Sequence, residues 1–257
     1  MQNSFVTDAI NLKSYNLSES DKIIVMYSKD KGLIKGVAKG VKKPKSKLGA
    51  RMDLLVANTL MLHKGRNLDT ICQAEVVNSF YKPRQDIDKI CYSMYVTEVV
   101  NNFGIEEDPC SEVIYNLLYK TLNTISVAEN KVDILLAVIK FQLKMMIESG
   151  FSIELDRCLC CHHDVADETM YFVPNMGGII CADCVGSVHY NKKQLPYKLR
   201  DFFKQMSIND FDERGEYEQK ANEKVCTVIF GALKEYIMLK SPKKFKSTNI
   251  LQEIPCG

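Results

Sequence analysis

Cys158, Cys161, Cys181 and Cys184 form a C-x2-C pair, a gap of 19 residues and a second C-x2-C pair. Two residues between cysteines let both thiolates of a tight turn face one ion, and two such turns supply the tetrahedral sulfur shell that zinc prefers. With all four positions taken by cysteine, no coordination site is left for water or substrate. The expectation is one structural zinc per chain and no catalytic metal. Cys160 and His163 offer a competing C-x2-H pair. Cys158 and Cys161 are preferred because they repeat the spacing and chemistry of the second pair. The plainer alternative, a cluster of free thiols, seldom falls into this spacing.

A second chemistry lies in charge. The net charge is only +2 over 257 residues, but Lys35, Lys39, Lys42, Lys43, Lys45, Lys47 and Arg51 follow one another with no acidic residue between them. Gly36, Gly40, Pro44, Ser46 and Gly49 interleave the run and should keep it exposed and mobile. A run of this type is often only a solvated loop. It is equally suited to tracking phosphates, since each neutralised phosphate releases bound counterions. Lys64 and Arg66, in a Lys-Gly-Arg-Asn turn, are expected to join it on the same rim as secondary candidates for phosphate contact. Phe5, Tyr15 and Tyr27 are the only aromatic residues before Phe80, so backbone charge should outweigh base stacking.

The familiar catalytic signatures are missing: no phosphate loop, no dinucleotide-binding glycine pattern, no H-E-x-x-H and no G-x-S-x-G. The four histidines form no constellation, and Glu106-Glu107-Asp108 reads as decoration at a helix start. The remaining cysteines, among them Cys72, Cys91, Cys110, Cys226 and Cys256, are scattered as small hydrophobes. That usage fits a reducing compartment better than a secreted disulfide scaffold. The N-terminus lacks a signal-peptide pattern, and no stretch approaches the length of a membrane span. The expectation is a soluble, cytoplasmic binding protein and not an enzyme. The competing class is a zinc-dependent nucleic-acid-processing enzyme, and a third is an RNA-binding adaptor.

These residues need a frame. Five short strands are expected in the first 80 residues: Val6 to Leu12, Ile23 to Tyr27, Leu33 to Val37, Leu54 to Leu62, and Cys72 to Val76. Val6, Ile10 and Leu12 should share one face, and Ile23, Val25 and Tyr27 another. Five strands without an intervening helix suit a small closed barrel; periodicity leaves an OB-fold and an SH3-like barrel both open. From Arg84 the period turns helical. Ile87, Ile90, Cys91 and Met94 mark a first helix, and Val113, Leu117, Leu118, Leu122 and Ile125 a second. Val132 to Glu148, apolar almost all round, reads as the centre of a bundle capped by Gly150. Thr169 to Ile180 alternates in places and turns at Gly177-Gly178, so a hairpin should deliver the second cysteine knuckle. Two more helices follow, over Leu199–Met206 and Ala221–Tyr236.

In this order the chain resembles the bacterial recombination mediator family RecO. The resemblance runs from about Ala9 to Leu251. It rests on Glu19-Ser-Asp-Lys-Ile23, Gly36 to Gly49, Lys64-Gly-Arg-Asn-Leu-Asp-Thr70, Glu154-Leu-Asp-Arg-Cys158 and Gly177-Gly-Ile-Ile-Cys-Ala-Asp-Cys184. It implies an α+β protein: an N-terminal five-stranded OB-fold barrel (1–80, nucleic-acid binding), then a helical bundle (81–155 and 191–257) interrupted by the four-cysteine module (156–190), whose zinc rests on this chain's own spacing because not every member of the family keeps the four cysteines. It further implies a mediator of DNA repair and homologous recombination that binds single- and double-stranded DNA and anneals complementary strands. The implied partners are RecR, RecA indirectly, and the C-terminal tail of single-strand-binding protein; the implied location is the cytoplasm, at the nucleoid. That tail is expected on the helical region, near Lys140, Lys144 or Arg157. Lysines stand where the family often carries arginine in the basic loop, which keeps charge but removes forked phosphate contacts.

Overall fold

A computed structural model describes residues 4–80, 86–165, 169–196, 198–211, 213 and 215–247. The chain divides into two compact units, Met1–Val127 with Phe245–Gly257, and Ala128–Lys244.

In the first unit, β1 (Ser4–Asn16), β2 (Lys22–Ser28), β3 (Gly32–Ala38), β4 (Ala57–His63) and β5 (Asp69–Asn78) close into a barrel in the order β1-β2-β3-β5-β4. All neighbours are antiparallel except β3 and β5, which meet in parallel at Gly36–Asp69 and Val37–Thr70. That is the five-stranded barrel expected from the sequence. The faces differ from those expected. Ala9, Ile24 and Met26 point into the barrel core with Leu60, Leu62 and Ile71. Ile10, Val25 and Tyr27 are buried on the opposite face, where α1 (Ile87–Phe103) and α2 (Ser111–Val127) cover the sheet. Val6, of the same parity as Ile10, is 63% exposed, because the helices do not reach it. A strand buried on both faces loses the alternation by which its inner side would be read.

The fourth strand starts at Ala57, three residues later than expected. Gly49–Met52 forms a 3₁₀ turn, and Leu55 sits at φ +63°. Asn11 holds this turn by donating its side-chain amide to the carbonyls of Arg51 and Asp53, each at 2.8 Å. In α1 the buried side is Tyr95, Val96, Val99 and Val100 with Cys91, whereas Ile87 is 69% exposed. Asp86 caps that helix, its carboxylate accepting from the Asp88 and Lys89 amides.

The second unit is built on α3 (Lys131–Glu148), buried almost all round as its composition requires. It packs along α6 (Glu223–Lys240) and against α4 (Lys198–Ile208); α5 (Glu216–Gln219) is a single turn. Gly150, at φ +78°, ends α3 as expected. The Thr169–Ile180 hairpin is present as β6 (Thr169–Val173) and β7 (Gly178–Ile180). A strand the sequence did not suggest, β8 (Lys193–Pro196), pairs with the other edge of β6.

Candidate metal centre and nucleic-acid interface

The first cysteine knuckle precedes β6 and the second follows β7. The two are brought together by a backbone seam: the Glu154 amide donates to the Gly177 carbonyl (3.1 Å), Ile179 donates to Glu154 (3.1 Å), and Leu159 donates to Ile179 (2.9 Å). Gly177 turns at φ +78°. A Cβ on Gly178 would stand 2.8 Å from the Glu154 carbonyl oxygen and 2.9 Å from a Leu159 methyl, so the seam closes only around glycine.

This geometry gathers the Cys158, Cys161, Cys181 and Cys184 sulfurs within 4.8 Å of one another. Cys161 Sγ and Cys181 Sγ are 3.9 Å apart. Four sulfurs each about 2.3 Å from one tetrahedral ion would be separated by about 3.8 Å, which the Cys161–Cys181 separation matches and the whole set approaches to within about an ångström. The backbone amides of Cys160 and Cys181 point at Cys158 Sγ, both at 3.4 Å. Burial by itself would raise the Cys158 thiol; these amides and that of Cys161 outweigh it and bring it down to about 6. Burial raises Cys181, while the neighbouring Cys181 sulfur is the main cause of the rise at Cys184. A cluster that favours one thiolate among protonated thiols would release the remaining protons on taking up a metal. Cys160 is exposed and outside the cluster. The four thiols therefore can hold a metal ion, in the register preferred from spacing.

The basic run is exposed throughout: Lys35 on β3, Lys39, Lys42, Lys43, Lys45 and Lys47 in the connection to β4, and Arg51 in the 3₁₀ turn. The connection is anchored rather than loose. Val41, Leu48 and Met52 are buried in the barrel core, and the Gly40 amide donates to Asp21 Oδ1 at 2.7 Å. That bond is the largest of the effects holding the Asp21 carboxyl below its usual range. Apolar residues point inward and the lysines outward, so the cations are carried on a fixed frame. Two are partly engaged: the Lys42 ammonium donates to the Ser18 carbonyl at 2.9 Å, and the Arg51 guanidinium donates to the Lys47 carbonyl.

Lys64 and Arg66, both exposed, lie in the β4–β5 turn, but the cations do not share one rim. Lys35 and Lys64 line a groove of about 330 Å³ with Lys31, Glu106 and Glu107, while Lys47 and Arg51 line another of about 630 Å³. Glu106 pairs with Lys35 at 3.7 Å and Glu107 with Lys31 at 3.3 Å. Asp108 accepts a 2.8 Å hydrogen bond from the buried Tyr27 hydroxyl. This acidic triplet thus ties the helices to the barrel and offsets charge in the first groove, where the sequence suggested helix-start decoration. Nothing in the local pattern could have revealed that pairing. Of the early aromatics Tyr27 is buried, Phe5 packs against the barrel core, and Tyr15 is 48% exposed with the Lys13 ammonium 4.7 Å from its ring centre.

One of the three candidate cations for the tail is excluded. Lys140 is 2% exposed; it pairs with Glu218 at 3.0 Å and donates to the carbonyls of Asp210 (2.9 Å) and Glu213 (2.7 Å). It cannot stand at the rim of a groove. Lys144 donates to the Ile208 carbonyl at 3.4 Å, and Arg157 pairs with Asp164 at 3.5 Å.

A small closed barrel carrying an anchored basic loop, in one chain with helices and a four-cysteine knuckle, is the architecture for which family descriptions of recombination proteins were found. The family description "Recombination protein O N terminal" matches residues 1–80, and "Recombination protein O C terminal" matches residues 84–249. The chain belongs to the RecO family. It is 29% identical over 247 residues to the DNA repair protein RecO of Desulforamulus reducens, covering 96% of this chain and 93% of the relative. With the protein of that name from Dehalococcoides mccartyi it shares 29% over 242 residues (93% and 92%). With that of Rubrobacter xylanophilus it shares 33% over 175 residues (68% and 69%). Among the described residues no helix is long and apolar enough to cross a membrane.

Proposed function

We propose that the barrel, residues 1–80, binds single- and double-stranded DNA through Lys35, Lys39, Lys42, Lys43, Lys45, Lys47 and Arg51, with Lys64 and Arg66 secondary. On this reading the protein anneals complementary strands and, with RecR, helps load RecA. The observation that carries it is the acid-free run of seven exposed cations, anchored beneath by Val41 and Leu48. Two strands on one basic surface repel each other less, so pairing accelerates without any bond chemistry. The four-cysteine module, 156–190, holds one structural zinc that orders its two knuckles, a role supported by the all-sulfur shell and the sulfur separations. The helical segments, 81–155 and 191–257, receive the acidic tail of single-strand-binding protein, and the protein works in the cytoplasm at the nucleoid.

A strand-annealing assay tests the reading. Complementary oligonucleotides, bare or coated with single-strand-binding protein, should anneal at least tenfold faster with the protein than without it. Rates that the protein leaves unchanged on both substrates would overturn it.

A further inference from the structure

The barrel has an open seam on β5. That strand pairs with β4 from Thr70 to Asn78, but it meets β3 only at Asp69 and Thr70. From Ile71 to Asn78 its other edge has no strand partner among the described residues. The Lys47–Arg51 segment lies near this strand, and a groove of about 630 Å³ is lined by Lys47 and Arg51, by Cys72, Glu75 and Val76 of β5, and by residues of β4 and β1.

An open edge presents backbone donors and acceptors ready to bond another extended chain, and proteins usually blunt it with lysine, proline or a covering element. Gln73 to Asn78 contains neither lysine nor proline. Val76 and Val77 stand 44% and 52% exposed on it. Three features decide what fits. The backbone edge suits a polypeptide in the extended conformation. Lys47 and Arg51 against the single Glu75 leave the lining net positive, which favours an occupant with acidic side chains. Among the described residues no aromatic ring lines the groove, so a nucleic acid would be held there by charge alone, without the alternate apolar contacts open to a peptide.

We propose that the open edge of β5 is a docking site for a single extended segment of a partner protein, which adds as a further strand with alternate apolar side chains in the groove and acidic ones toward Lys47 and Arg51.

Cys72 is exposed and lines the groove, so it reports occupancy. A random-peptide display library is selected on the full-length protein, and iodoacetamide alkylation of Cys72 is followed by mass spectrometry. Enriched peptides should alternate apolar residues and carry aspartate or glutamate, and a saturating synthetic copy should slow Cys72 alkylation at least tenfold. Val76→Asp, at an exposed position, should weaken the peptide tenfold or more. Glu75→Lys, also exposed, should tighten it several-fold, which keeps a readout if the first variant folds poorly. The proposal fails if no enriched peptide protects Cys72, or if neither variant changes affinity. Protection by an oligo-dT strand but not by peptides would make the groove a nucleic-acid track and overturn it. Protection that rises with protein concentration alone would assign the edge to a second copy and overturn it too.

Discussion

Cys158 and Lys140 show how differently a polar side chain can be buried. Cys158 is fully buried, and its sulfur accepts from two amides while three more thiols stand close enough to share one ion. Cys→Ser at 158, 161, 181 or 184 should reduce bound zinc from about one per chain to near zero and lower the melting temperature, read by elemental analysis and calorimetry. Cys160→Ser should leave both unchanged, and metal loss in that variant would move the ligand assignment. Lys140 solves its burial with three acceptors from the α4–α5 connection and α5. Lys140→Met would strand the Glu218 carboxylate, buried at 4% exposure, and should cost about 3–5 kcal/mol in denaturant unfolding. Adding Glu218→Leu should recover most of that loss, because the penalty lies in the unpaired charge. A double variant no more stable than the single would show that the carbonyl contacts dominate.

At the scale of elements, the loop between β3 and β4 decides whether its lysines act together. Its apolar residues reach the barrel core, so the cations are displayed with little freedom to collapse onto neighbouring acids. Replacing Lys39, Lys42, Lys43, Lys45 and Lys47 together by alanine should weaken binding to every DNA sequence alike. It should also flatten the dependence of log affinity on log salt by about 0.7 to 0.9 per lost phosphate contact. An unchanged slope would reduce the loop to a solvated turn. The stability of the barrel should survive this change, since Val41, Leu48 and Met52 are untouched. The tie between Tyr27 and Asp108 is a different kind of element contact. Burial, reinforced by the Asp108 carboxylate, keeps the Tyr27 hydroxyl protonated. Tyr27→Phe leaves a buried carboxylate short of a donor and should cost about 1–3 kcal/mol by chemical denaturation.

For the whole molecule, the proposed tasks do not follow the division into two units, since α1 and α2 share a unit with the barrel and α3 to α6 form the other. The proposal gives strand binding to the barrel, and receipt of an acidic tail to the helices. A fluorescent copy of the single-strand-binding protein tail should bind the full chain with micromolar-scale, salt-sensitive affinity. The alanine variants of the barrel loop should leave that affinity unaltered. Loss of tail binding in those variants would relocate the receptor to the barrel. Lys140 is spent inside the second unit, so any cation greeting the tail carboxylate must be another one.

Much of this was legible in the residues. The C-x2-C spacing specified the four sulfurs and their register, because a knuckle is a local turn whose geometry depends on few neighbours. The run from Lys35 to Arg51 specified an exposed basic loop for the same reason, and the all-round apolar pattern of Val132 to Glu148 specified a central helix. What the tertiary structure decided was every feature made by partners distant in sequence. The core-facing parity of β1 and β2 was hidden once helices covered their outer faces. The acids Glu106 to Asp108 found Lys35, Lys31 and Tyr27 far upstream, and Lys140 found Glu218. The open edge of β5 exists only because β3 ends its pairing at Thr70. Local spacing can place a ligand, but burial and charge pairing depend on which surfaces the folded chain brings face to face.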